Sequence, residues 1–127
     1  MAEKENRNVL GTPLKACCNK SKTGFFRTGS CETNHEDLGI HTVCARVTDE
    51  FLEFSRLAGN DLSTPRQEFG FPGLQAGDCW CVCALRWKQA FEAGYPAPVD
   101  LEATEESTLQ YIPLSALIKN AVPEQRN

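Results

Sequence analysis

The sequence has no long apolar run, no secretory signal core and no cluster of positive charge. A bilayer span needs roughly 20 consecutive apolar residues, and no stretch of this chain approaches that length. The N-terminal MAEKENRNVLG lacks the apolar centre of a signal peptide. Lysine and arginine are scattered, whereas nucleic acids and anionic membranes bind clustered positive charge. We therefore expect a soluble cytoplasmic protein whose partner is a small molecule or another protein.

Common catalytic and metal-binding motifs are missing as well. The chain contains no nucleotide-binding glycine loop, no GxSxG nucleophile elbow and no HExxH metal pair. Its cysteines include no CxxC knuckle of the kind that opens many zinc sites. These absences exclude the commonest mechanisms and leave the question of enzymatic activity open.

The composition is that of an ordinary globular protein. The formal net charge is −4 and 24% of the residues are charged, without a run of one sign. A chain of 127 residues fits one domain and can bury about two thirds of its unfolded surface without help from a metal or a disulfide. We predict a single α+β domain over 8–122, between flexible tails at 1–7 and 123–127. It should contain a few short strands, three to four helices and two long ordered loops.

Seven cysteines are what the sequence has in abundance. An odd number argues against a complete disulfide framework, and a reducing cytosol keeps thiols reduced. We therefore expect all seven to be thiols in the resting protein.

Local patterns assign several elements. The alternation in GIHTVCARV (39–47) predicts a strand. Thr48 is a good N-cap for the helix TDEFLEFSRLAGN, which Gly59 should end. Further on, Thr104 could cap a short helix, LQYIP reads as a short strand, and Pro113 opens a last amphipathic helix.

The segment CWCVC (79–83) fits two templates. On a strand, Cys79, Cys81 and Cys83 would share one face. On a helix capped by Asp78, an apolar stripe at 3–4 residue spacing continues as far as Gly94. The helix accounts for the whole stretch, and we favour it.

A helix start would distinguish these thiols from one another. Cys83 would lie in the apolar stripe as a small core residue, while Cys81 would sit near the positive end of the helix dipole. That position lowers a thiol pKa and makes Cys81 a candidate nucleophile, with His41 or Asp61 assisting. A direct pair between His41 and Cys44 is disfavoured, because strand residues three apart point to opposite faces.

Two long loops, 17–38 and 60–78, are the candidate binding surface. Loops of this length in a compact domain are commonly functional, and their glycine, proline and aromatic content argues against disorder. The leading hypothesis is therefore a binding module for a small molecule or a protein partner. The candidate binding residues are Arg27, Asp37, Asn60 and Arg86.

Several motifs together resemble a known family. They are NVLGTPL, TGFFRTGSC, DLGIHTVCA, GNDLSTP, FPGLQAGDCWCVCALRW and PVDLEAT. They are similar to a mainly bacterial family of unknown function, DUF2237, over roughly Asn8 to Val122. The resemblance implies a complete domain in a bacterial-type cytosolic setting and supplies no activity.

The same resemblance implies an alternative metal site. The family pattern includes Cys31, Cys44, Cys81 and Cys83, whereas Cys18 and Cys79 are not positions of that pattern. Four motif cysteines match the ligand count of tetrahedral zinc. A shared metal would require the helix after CWCVC to begin later, at about Leu85. Zinc is thus the alternative to a protein without a cofactor.

Overall fold

The computed structural model of the chain describes residues 6–17, 30–33, 40–66, 68 and 73–125. Its elements in chain order are β1 (Val43–Arg46), α1 (Asp49–Leu57), β2 (Cys79–Val82), α2 (Ala84–Glu92) and α3 (Leu114–Lys119), with short 3-10 helices at Leu101–Ala103, Glu106–Gln110 and Pro123–Gln125. The α+β prediction is confirmed, and the helix count is in line with it. None of the helices in these ranges has the length and apolar character that crossing a membrane requires.

The two strands form an antiparallel sheet that neighbouring segments extend. Val43 pairs with Val82, and Arg46 at the other end pairs with Cys79. On the far side of β1, Ala45 bridges to Val99, and Val99 in turn bridges to Ala121. The sheet therefore continues through two single-residue bridges beyond the strand pair.

The helix α1 begins and ends where the sequence predicts. The Thr48 hydroxyl accepts a hydrogen bond from the Phe51 N–H at 3.1 Å, which caps the first turn. At the other end Gly59 has a φ of 95°, a left-handed conformation that glycine adopts without a side-chain clash.

The predicted helix from Asp78 to Gly94 is wrong in its first third. Residues 79–82 form β2, and α2 begins only at Ala84. Asp78 caps a turn instead, since its carboxylate accepts a hydrogen bond from the Gln75 N–H at 2.9 Å. Trp80 and Ala84 are four apart, which places two residues on one side in both a strand and a helix. The apolar pattern alone could not separate the two templates.

The main hydrophobic core lies on one face of this sheet. Val43, Ala45 and Val82 point into it. Trp87 of α2 belongs to the same core and has no solvent exposure. The Trp87 indole N–H donates to the Ala97 carbonyl at 2.9 Å, so the one polar atom of this large side chain is satisfied. The opposite face of the sheet therefore lies outside the main core.

Two smaller predictions near the C-terminus are also wrong. The LQYIP segment is not a strand, because Glu106–Gln110 is a 3-10 helix. Its N-cap is Glu105 rather than Thr104, with the Glu105 carboxylate accepting from the Ser107 N–H at 2.8 Å. Residues 123–125 form a 3-10 helix in which Glu124 pairs with Arg46 through two hydrogen bonds.

The loop after α1 is held by a close approach of two backbone segments. Gly73 has a φ of 83°, and a Cβ atom there would overlap the carbonyl oxygen of Ser63. Gly77 has a φ of 96°, yet a Cβ atom there would meet nothing within 4 Å. The two glycines share a left-handed backbone and differ in the space around them.

We predict that Gly73→Ala destabilises the protein more than Gly77→Ala. Both variants place a side chain on a left-handed backbone, which costs about 1 to 2 kcal/mol. Gly73→Ala adds an overlap with Ser63, worth roughly a further 1 to 3 kcal/mol. Urea unfolding of the two variants measures the difference. Equal free energies of unfolding would contradict the close approach.

Candidate functional site: a buried four-cysteine cluster

The face of the sheet opposite the main core carries cysteine side chains. Successive strand residues point to opposite faces, so Trp80 and Val82 of β2 enter the main core while Cys79 and Cys81 face the other way. The strand template weighed for CWCVC is therefore the one that holds for residues 79–82.

Across the sheet, Cys44 of β1 lies directly opposite Cys81. The backbone groups of Cys44 bond away from β2, its N–H to the Thr104 hydroxyl at 3.1 Å and its carbonyl to the Asp100 N–H at 2.9 Å. Cys44 and Cys81 are thus a non-hydrogen-bonded antiparallel pair, the type in which opposing side chains lie closest. The pairing register alone brings two sulfurs together.

Two further sulfurs come from outside the sheet. Cys17 forms a disulfide with Cys44, and Cys31 forms one with Cys81. The Cα–Cα distances are 5.5 Å and 5.4 Å, in the middle of the range that a disulfide spans. We call these four residues the four-cysteine cluster. The expectation that all cysteines are thiols is wrong for them, because it rested on the compartment and not on the distances that the fold creates.

The N-terminal segment reaches the cluster because Asn8 ties it down. The buried Asn8 amide donates to the Glu102 carbonyl at 3.0 Å and to the Thr12 hydroxyl at 2.7 Å. Its oxygen accepts from the Leu10 and Thr12 N–H groups. Lys15 continues the contact through a hydrogen bond from its N–H to the Glu102 carbonyl at 3.0 Å. Cys17 follows two residues later.

The cluster is almost closed to solvent. Its exposed fractions are 8% for Cys17, 0% for Cys31, 1% for Cys44 and 1% for Cys81. Ala103, also without exposure, packs against the sulfurs from the 3-10 helix that follows Asp100. Thr104 holds that helix to β1, since its hydroxyl donates to the Asp100 carbonyl at 2.8 Å while accepting from Cys44.

The sulfurs form one group rather than two separate pairs. The Sγ atoms of Cys17, Cys31 and Cys81 all lie within 4.8 Å of one another, and Cys44 is bonded to the first of them. Two kinds of chemistry suit such a group. Its members can exchange disulfide partners, and when reduced they can bind one metal ion.

The predicted metal set differs from this group in one member. Cys31, Cys44 and Cys81 are brought together, whereas Cys83 is the half-buried N-cap residue of α2 and belongs to neither disulfide. Cys17 occupies the fourth place. It was not singled out from the sequence, although Cys17 and Cys18 are the only sulfurs in the polar stretch KACCNK.

The predicted catalytic residues have other surroundings. Cys81 is buried in a disulfide and offers no thiolate in this state. His41 is half-buried two residues before β1. Asp61 accepts hydrogen bonds from the Thr64 hydroxyl at 2.6 Å and from the Ser63 and Thr64 N–H groups, and these bonds, the hydroxyl first, lower the pKa of its carboxyl. These local hydrogen bonds make Asp61 a turn former, and the lowered pKa makes its carboxylate a weaker base.

Two predicted binding residues, Arg86 and Asn60, each bond to the C-terminal part of α1 or the residue that follows it. Arg86 of α2 donates from its guanidinium to the Ala58 carbonyl at 2.9 Å, and Asn60 follows two residues later. Arg86 thus fastens α2 to the C-terminal end of α1. Arg27 and Asp37 lie outside the described residues.

Comparison with known proteins identifies the family. The model of a family described as "Uncharacterized protein conserved in bacteria (DUF2237)" matches residues 7–121. The chain belongs to this family. No curated protein gives a significant match.

We predict that disulfide mapping finds the linkages 17–44 and 31–81. Digestion with trypsin and with an endoprotease that cleaves before aspartate places the four disulfide-bonded cysteines on different peptides. These peptides are 16–20, 28–36, 37–46 and 78–86. After thiol blocking at low pH, 16–20 should be joined to 37–46, and 28–36 to 78–86. Mass spectrometry of the digest before and after reduction identifies each pair.

Matched variants assign the cysteines within each peptide. Cys18→Ser should keep the first linkage, and the double variant Cys79→Ser/Cys83→Ser should keep the second. A bond between 16–20 and 78–86, or loss of either linkage in these variants, would contradict the pairing.

Proposed function

We propose that this member of the family is a thiol-based metal module in which the reduced four-cysteine cluster binds one zinc ion. The same four sulfurs form the two disulfides when the protein is oxidised. The observation that carries the proposal is the convergence of four buried sulfurs, three of them within 4.8 Å of one another.

The spacing of these sulfurs suits tetrahedral zinc. A Zn–S bond is about 2.3 Å long, so the corners of a zinc tetrathiolate lie about 3.8 Å apart. Sulfurs within 4.8 Å need to approach by about an ångström, while each disulfide pair must separate. Side-chain rotation at four cysteines supplies movements of this size without a change in the strand register.

The donor set and the burial favour zinc in a closed structural site. Four thiolates form a soft donor set, which selects zinc or an iron–sulfur centre over magnesium or calcium. Four protein ligands with little exposure leave no open position for a substrate, as in structural zinc sites. The proposed metal would therefore stabilise the fold rather than activate a water molecule.

Zinc binding would also explain how four thiolates can be accommodated in a buried site. Burial in apolar surroundings raises the pKa of a thiol and disfavours four separate thiolates. A bound Zn²⁺ deprotonates its ligands, so binding releases protons and weakens as the pH falls. The predicted reducing compartment would supply the four thiols that this state requires.

The proposed metal gives the first long loop its anchor. Cys17 begins the loop 17–38 and Cys31 lies within it, and both are joined to the sheet. A zinc ion on the same four sulfurs would hold these two points when the disulfides are reduced. The ligand- or partner-binding role predicted for this loop then depends on the state of the cluster.

We predict that the anaerobically reduced protein binds one Co²⁺, a spectroscopic substitute for zinc, with the intense absorption of tetrahedral thiolate coordination. Cys17→Ser removes one sulfur and should weaken that absorption and the affinity. The matched variant Cys83→Ser should leave both unchanged, because Cys83 is at the N-cap position of α2 and is not a member of the cluster. Competition with Zn²⁺ should displace the cobalt.

The two variants also separate the alternatives. If Cys83→Ser weakens binding and Cys17→Ser does not, the metal uses the set that includes Cys83. If the reduced wild-type protein binds neither ion, the four cysteines serve as structural disulfides alone and the proposal fails.

A further inference from the structure

The buried disulfides have a fifth sulfur beside them. Cys79 shares the sheet face of Cys81, two residues before it on β2, and packs against the four-cysteine cluster. It belongs to neither disulfide and is partly exposed, whereas every sulfur of the cluster is buried. Solvent reagents can therefore approach Cys79 more readily than the bonds that they would have to break.

We propose that Cys79 is the exchange thiol through which reducing equivalents enter the four-cysteine cluster. This inference rests on the proposed function in one respect, since it explains how the four metal-binding thiolates are released. The exchange itself requires no metal.

The first step is an internal thiol–disulfide exchange. The Cys79 thiolate attacks the Cys31 sulfur, a bond forms between these two sulfurs, and the Cys31–Cys81 bond breaks with Cys81 leaving as the thiolate. No electrons are gained or lost. Cys31 is the favoured target because Cys79 and Cys81 are fixed on one strand about 6.6 Å apart, near the upper limit that a disulfide spans.

The second step carries the exchange to the other disulfide. The released Cys81 sulfur lies within 4.8 Å of the Cys17 sulfur. Its thiolate attacks Cys17, the Cys17–Cys44 bond breaks, and Cys44 leaves as the thiolate. Both disulfides are thereby connected to the single entry point at Cys79.

A dithiol reductant completes the reaction at the accessible sulfur. One of its thiolates attacks Cys79 in the Cys79–Cys31 bond and releases the Cys31 thiolate. Its second thiol then displaces Cys79 and closes the reductant into a disulfide. The freed Cys31 thiolate then attacks Cys81 in the remaining Cys17–Cys81 bond, re-forms Cys31–Cys81 and releases the Cys17 thiolate. A second cycle through Cys79 reduces this bond. Each cycle transfers two electrons, so two dithiols reduce the cluster to four thiols.

The test compares reduction rates of oxidised wild type, Cys79→Ser and Cys83→Ser in dithiothreitol. Samples are acid-quenched and alkylated, and each disulfide is followed by peptide mass. We expect Cys79→Ser to slow the reduction of both disulfides by about tenfold or more, because direct attack must await local opening. Cys83→Ser should react at the wild-type rate, and Cys79→Ala should behave like Cys79→Ser.

Two controls make the outcome decisive. In denaturant all variants should be reduced at one rate, since exposure removes the need for an entry thiol. The oxidised variants should unfold at the same denaturant midpoint as wild type. Equal native rates for Cys79→Ser and wild type would overturn the proposal, as would a slowing that persists in denaturant. If Cys79→Ser is slow but no reduced variant binds metal, the proposed function fails and the exchange role stands.

Discussion

The antiparallel register of β1 with β2 is the constraint on which the site depends. It sets Cys44 opposite Cys81 in the pair type with the shortest side-chain separation. The same register sends Val43 and Val82 to the other face, where the main core holds them. A slip of one residue in one strand would exchange its two faces, so that its cysteine would enter the main core and its valine would face the four-cysteine cluster. Core packing therefore protects the geometry of the cluster.

Two buried polar side chains, Asn8 and Thr104, hold the segments that cover the four-cysteine cluster. Asn8 folds the N-terminal segment onto the Glu102 backbone, and Thr104 ties the next residues to β1. Each uses a buried side chain whose hydrogen-bonding groups are satisfied, so each is costly to disturb. These contacts join residues far apart in sequence. They cover the second face of the small sheet, so that its cysteines form a second buried cluster.

Prediction from the sequence succeeded where the signal was local. Thr48 and Gly59 mark the two ends of α1, because caps are read from adjacent residues. It failed for β2, where Trp80 and Ala84 satisfy strand and helix spacing alike. Cys17 was missed because contacts between residues far apart in sequence, such as Asn8 with Glu102, hold its segment near β1. The thiol state was misassigned because a compartment does not determine which sulfurs lie within bonding distance.

The central claim is that the four sulfurs of the cluster form one metal site when reduced. X-ray absorption at the zinc edge of the reduced, zinc-loaded protein tests it most directly. We expect a first shell of four sulfur atoms at about 2.3 Å, without nitrogen or oxygen neighbours. A shell with fewer than four sulfurs, or one completed by histidine or water, would contradict the claim.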